Sequence, residues 1–251
     1  MGGPTPGAAR LAAARPGREY DKRRSSEVPH GSFVASELLL LLLVAALAVL
    51  VRYHPGPFPG DVGVERGEQH LVLPHHALTN FLENISTIGW PIPAAITLGV
   101  FIVAFLLLRR WLDALLSLIT AVVVDELTFL LSKLVHRPRP HGHGIHILKV
   151  INSTYSFPSG HVVHVTAVFG LLLFLTFRAR GRIPEVILWL VRIALLFFIV
   201  VMGPSRILEG EHWPSDVLTG YLWGLFWAVL AVHIYLWARH RFPRLAVPDV
   251  R

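Results

Sequence analysis

The stretch FPSGHVVHVTAVFGLLLFLTF, residues 157–177, begins with polar residues and then becomes almost wholly apolar. From Val162 to Phe177 it has the composition of a helix that crosses a bilayer, for which a run of about 20 apolar residues is needed. A lipid-facing helix has no evident use for the Pro-Ser-Gly-His that precedes this run. The stretch therefore predicts a membrane-spanning helix whose first turn serves a purpose other than anchoring.

The overall composition indicates the same class of protein. Of the 251 residues, 53% are hydrophobic and 16% are charged, and the mean hydropathy of +0.56 is outside the usual range of soluble domains. The chain has no cysteine, which excludes disulfides, thiolate metal sites and cysteine nucleophiles. Its net charge of +7 comes with basic residues that flank the apolar runs, so we expect a membrane protein with no nucleic-acid partner.

Six apolar runs are long enough to cross a membrane, and they predict an all-α fold, a six-transmembrane-helix bundle. The predicted spans are 33–51, 91–109, 112–134, 161–178, 184–203 and 217–238. Lys and Arg are concentrated before the first span, between the second and third, between the fourth and fifth, and after the sixth. Because cytoplasmic segments carry this excess, we expect both termini in the cytoplasm and a location in the cell inner (plasma) membrane.

The same rule places three loops on the extracytoplasmic face: 52–90, 135–160 and 204–216. Residues 1–32 are rich in Gly, Ala, Pro and Arg and lack apolar periodicity, which predicts a disordered basic cytoplasmic tail. The six-span membrane domain then covers 33–240, and 241–251 form a short cytoplasmic tail.

The first of these loops contains an amphipathic pattern that predicts a helix ending near Gly89. The apolar positions follow the i, i+3, i+4, i+7 spacing: Leu78, Phe81, Leu82 and Ile85. Such a helix either borders a path by which lipid enters or covers the end of the bundle.

Polar residues form three clusters in the loops of the extracytoplasmic face. They are SKLVHRPRPHGHG at 132–144, FPSGH at 157–161 and SRILEGEHWPSD at 205–216. Taken singly, each has an ordinary explanation as a headgroup contact, a helix start or an interface anchor. Together they supply cations, helix-start amides, two histidines and a carboxylate, which are the groups that phosphoryl transfer needs.

Each group has a physical reason to serve an anionic substrate. Serine is a preferred N-cap residue, so we expect Ser159 to cap the helix and to leave the amides of Gly160 and His161 at the positive end of its dipole. Gly160 has no side chain, so a phosphate could approach its backbone closely. The guanidinium groups of Arg139 and Arg206 can bind phosphate oxygens in a bidentate manner.

The pair His212 and Asp216 fits a nucleophile and the group that orients it. The carboxylate would hold one ring nitrogen of His212 protonated and leave the other free to attack. His161, across the phosphate, can protonate the leaving oxygen.

The order K…RPRP, then PSGH, then SR-x5-H-x3-D resembles the type 2 phosphatidic acid phosphatase (lipid phosphate phosphatase) superfamily, which also includes vanadium haloperoxidases. The resemblance covers roughly residues 90–238. It implies a six-helix membrane core, a phosphohistidine on His212, His161 as general acid, Asp216 as the orienting carboxylate, and no required metal or other cofactor. Phosphate binding would then fall to Lys133, Arg139, Ser159, Gly160 and Arg206.

The first motif departs from the family pattern, which usually leaves six residues between its lysine and the Arg-Pro pair. Five residues separate Lys133 from Arg139 here, and Ser132 stands at the expected lysine position. Three alternatives remain open. The turn before His136 is irregular, Lys133 reaches the site from an altered direction, or Arg137 takes the place of the lysine.

Several other polar residues have both a structural and a functional interpretation. The histidines of HGHGIH, His141, His143 and His146, have neither cysteine nor a carboxylate set nearby, so we expect a mobile polar loop and no metal site. His164 follows His161 by one helical turn, and we expect it to be a buried structural histidine.

Asp125 and Glu126 lie inside the third predicted span, where carboxylates are costly and usually paired. We expect one of them to pair with Arg192 of the fifth span. A less favoured interpretation makes Asp125, Glu126 and His164 a proton path.

We therefore expect an integral membrane lipid phosphatase that acts on a phosphate or diphosphate monoester of a membrane lipid. Undecaprenyl diphosphate, phosphatidylglycerol phosphate and phosphatidate are the candidates that resemble substrates of the family. The alternatives are a lipid phosphoryl or headgroup transferase with the same fold, and a proton-coupled transporter.

Overall fold

A computed structural model describes residues 30–149 and 155–242, and these residues form eight helices and no β-strand. The helices are α1 (His30–Tyr53), α2 (Asp61–Val72), α3 (His76–Ser86), α4 (Pro91–Leu107), α5 (Trp111–Val135), α6 (Gly160–Phe177), α7 (Glu185–Leu208) and α8 (Pro214–Arg241). Almost all of the predicted N-terminal tail, and most of the C-terminal one, lie outside the described residues. The all-α prediction is confirmed.

Five of the described helices, α1, α5, α6, α7 and α8, are long and apolar enough to cross a membrane. A sixth crossing arises if α3, its terminal 3-10 turn and α4 are counted as one span that is bent by 67°. The helix α4 alone has 17 residues, because it ends at Leu107 before Arg109 adopts a left-handed conformation with φ 58°. The chain is a multi-pass membrane protein.

The fifth predicted span ends five residues too early. The helix α7 continues through Pro204 to Leu208, so Ser205 and Arg206 belong to its last turn and not to a loop. Proline cannot donate a hydrogen bond to the carbonyl one turn back. The hydroxyl of Tyr221 replaces that donor at 3.0 Å from the Val200 carbonyl, which is how the helix passes the proline.

The sixth predicted span begins three residues too late. The helix α8 starts at Pro214, at a position where the missing N–H of proline costs nothing. Asp216, which we assigned to a loop, therefore lies in the first turn of a helix.

The loop after α1 contains two helices where the sequence pattern indicated one. The predicted amphipathic helix is present as α3, with a 3-10 turn that ends at Gly89. The helix α2 was missed because its buried face is polar: Asp61, Glu65 and Gln69, at i, i+4 and i+8, are its buried residues. An apolar-stripe pattern does not detect such a helix.

The helix α6 lies at the centre of the bundle. In its most apolar window 67% of the residues are buried inside the protein, against 17–39% for the other four spans. It packs tightly on α8, where a Cβ at Gly224 would lie 2.6 Å from Thr166 and one at Gly220 would lie 3.1 Å from the Ser159 carbonyl. This close approach brings the first turns of α6 and α8 together at one end of the bundle.

Candidate active site

The three polar clusters of the sequence converge at the end of the bundle where α6 and α8 begin. The segment after α5 contributes Arg137 and Arg139, the start of α6 contributes Ser159 and His161, and the α7–α8 junction contributes the rest. The helices α2 and α3 pack against α7 at the same end, and α2 also packs against α8.

Arg206 is fully buried at the centre of this region. Its Nη1 donates to the Ser86 hydroxyl at 2.5 Å and to the Glu209 carboxylate, and its Nη2 donates to the Glu211 carboxylate. Glu209 also accepts hydrogen bonds from Ser86 at 3.0 Å and from the ammonium of Lys149 at 3.1 Å. Two buried carboxylates and two cations are thus in direct contact.

Arg139 joins this charged group from the segment after α5. Its Nη1 lies 2.8 Å from the Glu211 carbonyl oxygen and 3.4 Å from both the Glu211 carboxylate and Nε2 of His212. Burial lowers the pKa of Arg139 and the charge of Glu211 opposes that change. An arginine stays protonated at neutral pH, so a fixed positive charge stands beside the His212 ring.

His212 is buried, and its ring is held in one tautomer. Nδ1 lies 2.7 Å from the carbonyl oxygen of Ser156, and a carbonyl only accepts, so Nδ1 carries the proton and Nε2 carries the lone pair. Burial, followed by the positive charges of Arg139 and Arg206, lowers the pKa of His212 well below its ordinary value. The ring is therefore neutral at pH 7, with Nε2 directed at the guanidinium of Arg139.

Asp216 does not contact His212 among the described hydrogen bonds, which corrects the expected pairing of the two. Its carboxylate accepts from the Ser156 hydroxyl, from the Trp213 amide at 3.1 Å and from Nη1 of Arg137 at 2.5 Å. Because Asp216 is the third residue of α8, its side chain turns back to cap the helix. It positions His212 indirectly, through the backbone of Ser156.

Arg137 is fully buried, and none of its described hydrogen bonds goes to the Arg206 group, which consists of Arg206, Glu209, Glu211, Lys149 and Arg139. Its Nη1 donates to Asp216 and to the Ser215 hydroxyl at 2.8 Å, and its Nη2 donates to Asp61 at 3.0 Å and to the Gly56 carbonyl at 2.8 Å. The structure therefore places Arg137 against Asp216 and Asp61, which does not favour the alternative in which it replaces the lysine of the first motif. Its guanidinium supports the carboxylate behind His212.

Asp61 is a buried site residue that sequence reasoning missed. Besides Arg137, its carboxylate accepts from the amide and hydroxyl of Ser215, at 2.9 and 2.7 Å, and from the Phe58 amide at 2.8 Å. It comes from α2, far from the motifs in sequence. In the sequence, the one available signal was an acidic residue directly after a glycine. In the structure this glycine, Gly60, is the N-cap of α2 and has φ 98°.

The structure does not bring Lys133 to the site. Its ammonium lies over the ring of Phe129, 4.1 Å from the ring centre, and the residue is exposed. The helix α5 ends at Val135 and the chain turns at His136 with φ 59°, so the irregular turn lies after Lys133 and leaves it on the outer surface.

Several polar atoms around this region are buried and have no hydrogen-bond partner among the described residues. They are Nε2 of His161, Oγ of Ser159, Nε of Arg206 and Oε1 of Glu211. Ser159 precedes α6 as expected, but its hydroxyl makes no capping bond. Buried polar groups are normally paired, so such a group of atoms marks a place where a polar ligand fits.

His161 is packed tightly on its outer side. Its ring meets the edge of Trp90, with ring centres 6.4 Å apart, and a Cβ at Gly89 would lie 2.4 Å from its Cδ2. Gly89 and Trp90 connect α3 to α4, so the bend between these helices holds the His161 ring in place.

The expected pair between Arg192 and Asp125 or Glu126 is wrong. Asp125 pairs with Nδ1 of His164 at 2.9 Å, and Arg192 pairs with Glu185 at 2.8 Å. Because α7 runs five residues beyond the predicted span, Arg192 lies about 7–8 Å deeper than expected. Its side chain also donates to Thr176, near the opposite end of α6.

The HGHGIH loop is tied to α2. The side chain of Gln69 donates to the carbonyl of His146 at 2.7 Å and accepts from its amide at 2.9 Å. Within the described part of the chain, no group of three or more His, Asp or Glu side chains could hold a metal ion.

The PAP2 superfamily profile matches residues 110–240. Decaprenylphosphoryl-5-phosphoribose phosphatase of Mycobacterium tuberculosis (strain ATCC 25618 / H37Rv) is 34% identical over 166 residues, which cover 66% of this chain and 76% of that protein. Lipid A 1-phosphatase of Rhizobium etli is 30% identical over 131 residues, 50% of this chain and 51% of that protein, so the match spans about half of its length.

Two solved structures share the fold. The transmembrane PAP2-type phosphatidylglycerolphosphate phosphatase of Bacillus subtilis has a TM-score of 0.62 and 22% identity, covering 79% of this chain and 95% of that one. Aquifex aeolicus LpxE has a TM-score of 0.53 and 20% identity, covering 70% of this chain and 96% of that one.

Proposed function

This chain belongs to the PAP2 superfamily, and from that premise we propose that it is a membrane lipid phosphatase acting through a phosphohistidine on His212. The substrate is a phosphate or diphosphate monoester of a membrane lipid. The observation that carries the proposal is the state of His212: Nδ1 is bound to the Ser156 carbonyl and Nε2 stands beside Arg139 with its lone pair available. Relatives named for lipid-linked phosphates support the substrate class.

In the first step, Nε2 of His212 attacks the phosphorus of the terminal phosphate. A P–N bond forms and the P–O bond to the lipid breaks, and its electron pair stays on the leaving oxygen, which takes a proton from His161. Arg139, Arg206 and the Ser159 hydroxyl hold the remaining phosphate oxygens, together with the first amides of α6. These groups stabilise the charge that develops on the phosphoryl group.

In the second step, water attacks the phosphohistidine. The new P–O bond forms as the P–N bond breaks, and the electron pair of that bond returns to Nε2 of His212. The water gives a proton to His161, which restores the proton that it lost in the first step. Inorganic phosphate leaves, and both histidines are back in their starting states.

The placement of the site suits a lipid that stays in the bilayer. The site lies at the end of the central helix α6, so the tails can remain among the spans while the phosphate reaches the charged group. The positive-inside pattern of the sequence supports a location of this end on the extracytoplasmic face. Undecaprenyl diphosphate, phosphatidylglycerol phosphate and phosphatidate are the substrates to test first.

The test is phosphate release in detergent micelles from a panel of lipid monophosphates and diphosphates, with wild type beside His212→Ala. We expect release by the wild type without any acceptor lipid or ion gradient and with chelator present, and a loss of about 10⁴-fold in the variant. Equal release by both proteins would reject the mechanism. Release that appears only with an acceptor lipid would instead identify a transferase.

A further inference from the structure

The charged side chains of the site form a row that alternates in sign. Lys149 contacts Glu209 at 3.1 Å, Glu209 and Glu211 both contact Arg206, and Glu211 contacts Arg139 at 3.4 Å. The row contains three cations and two buried carboxylates, so its net charge is positive by one unit only because Lys149 is there. Arg139 and Arg206 alone are balanced by the two carboxylates, which leaves no excess charge for an anionic substrate.

Lys149 also occupies a role that the first motif leaves open. Ser132 stands where the family pattern has a lysine, Lys133 lies on Phe129 at the surface, and Arg137 is bound to Asp61 and Asp216. Lys149 follows this motif in the same segment of chain, and of the two lysines that the structure describes it is the one in contact with the site.

The position of Lys149 at one end of the row indicates which part of a bound substrate it would contact. Arg139, at one end of the row, contacts the attacking nitrogen of His212. Lys149, at the other end, lies with its ammonium 5.7 Å from the ring centre of Trp90, and the Trp90 ring meets the ring of His161. In phosphoryl transfer the leaving oxygen departs roughly in line with and opposite the nucleophile. Lys149 therefore stands on the leaving-group side.

The burial of the row indicates which cation can move to a ligand. Arg206, Glu209 and Glu211 are almost fully buried, whereas the side chain of Lys149 is 31% exposed. A lysine has a flexible stem and a compact charge, so it can exchange a carboxylate for a phosphate oxygen without moving the backbone. Glu209 would keep its contacts with Arg206 and Ser86.

We propose that Lys149 determines specificity by binding a negatively charged leaving group. The leaving group of a lipid diphosphate is a lipid monophosphate, whose oxygens carry charge, whereas that of a simple lipid phosphate is a neutral alcohol. Cleavage of the terminal P–O bond leaves the electron pair on the bridging oxygen, which His161 protonates, and the ammonium of Lys149 stabilises the charge that remains on the other oxygens of the departing lipid monophosphate. The inference rests on the proposed function and narrows it to lipid diphosphates.

The test compares Lys149→Ala with Lys133→Ala on two substrates that share one tail, farnesyl diphosphate and farnesyl monophosphate. We expect Lys149→Ala to lower kcat/KM for the diphosphate by about 30–100-fold and for the monophosphate by less than about threefold. Lys149→Arg, which keeps the charge, should retain most of the diphosphate activity. Lys133→Ala, altered on the outer surface, should stay within about twofold of wild type on both substrates.

Equal losses on the two substrates, or no loss on the diphosphate, would overturn the assignment of Lys149. His212→Ala tests the proposed function separately, since its inactivity on both substrates is expected whatever Lys149 does. Binding of the two farnesyl phosphates to His212→Ala, with and without Lys149→Ala, is measured by calorimetry and decides the assignment even if no turnover is found. Unchanged diphosphate affinity in the double variant would also overturn it.

Discussion

Arg137 and Arg206 lie at the same end of the bundle, and both are fully buried with two carboxylates in contact. Their surroundings differ. Each guanidinium nitrogen of Arg137 has an acceptor among the described residues, including the carbonyl of Pro55 at 3.4 Å from Nε. Nε of Arg206 has no acceptor, and Oε1 of Glu211, whose other oxygen contacts Arg206, has no donor among them.

The difference shows how one residue type serves two purposes. A guanidinium whose donors are all used holds its neighbours in place, and here it fixes Asp216 and, through Ser156, the ring of His212. A guanidinium with an unused donor next to other unused polar atoms keeps capacity for a ligand. We therefore propose that Arg137, with Asp61 and Asp216, positions the site, and that Arg206, with Glu209 and Glu211, binds the substrate.

Among the variants that test this comparison, Arg206→Lys has the largest expected effect, and it distinguishes a role in substrate binding from a role in folding. Arg206→Lys keeps the charge and loses the planar fork, so kcat/KM for lipid phosphate should fall by about 10²–10³-fold. Its matched control is Arg192→Lys, a change of another buried arginine on α7 that is bound to Glu185 and Thr176. The control should stay within about twofold of wild-type activity. Similar losses in both variants would mean that Arg206 acts through the stability of α7.

An intermediate effect on activity is expected from a change beside Arg137, which on this proposal positions the site without contacting the substrate. Asp61→Asn removes one of the two carboxylates that balance Arg137, and the orientation of Asp216 should loosen. Because the Arg206 group is untouched, we expect kcat to fall by about 10–100-fold with little change in KM. The control Glu68→Gln, on the same helix, should leave kcat within about twofold. A raised KM with an unchanged kcat would place Asp61 in binding instead.

The smallest effect concerns stability and tests the charge balance beside Arg137. Burial, and then the charges of Asp61, Asp216 and Glu68, raise the pKa of Glu65 to about 8. In the unfolded chain the group ionises near its ordinary pKa of about 4.3. The folded state therefore holds a proton that the unfolded state loses, so the contribution of Glu65 to stability is greatest below about pH 4 and declines as the pH rises through 8.

Glu65→Gln, which carries no charge, should remove this decline. We expect the thermal midpoint of the variant in detergent to match that of wild type at about pH 5. At about pH 9 it should exceed the wild-type midpoint by roughly 3–6 °C. Melting curves across this range measure the effect. If the difference between the two thermal midpoints did not change with pH, Glu65 would be ionised in the folded protein over the whole range. Its charge would then be balanced by a cation in addition to Arg137.

Much of the fold could be predicted because apolar runs and their basic flanks are local signals. The bounds of α7 and α8 could not be predicted. In the sequence Pro204 indicates the end of a helix, and only the structure shows that the hydroxyl of Tyr221 replaces the missing donor. The helix α2 was missed for a related reason, because its buried side chains are polar and two of them, Asp61 and Gln69, are paired with residues far along the chain.

The candidate site was also predicted only in part. His161, His212 and Arg206 come from compact motifs, and the structure brings them together. Asp61 and Lys149 belong to no motif that signals them, and each meets its partner only across a long stretch of sequence. Asp125 paired with His164 where Arg192 had been expected, because a few residues of helix length change which side chains share a depth.

By itself the sequence determined that this chain crosses a membrane several times and that two histidines, arginines and a carboxylate meet at one end of the bundle. Hydrophobic run length and motif spacing are properties of neighbouring residues, so a single chain displays them. Only the tertiary structure decided which arginine has all its donors used and which one keeps an unused donor, that Ser156 stands between Asp216 and His212, and that Lys149 contacts Glu209. Those outcomes depend on which donors find acceptors in a buried space, and burial is created by the whole fold.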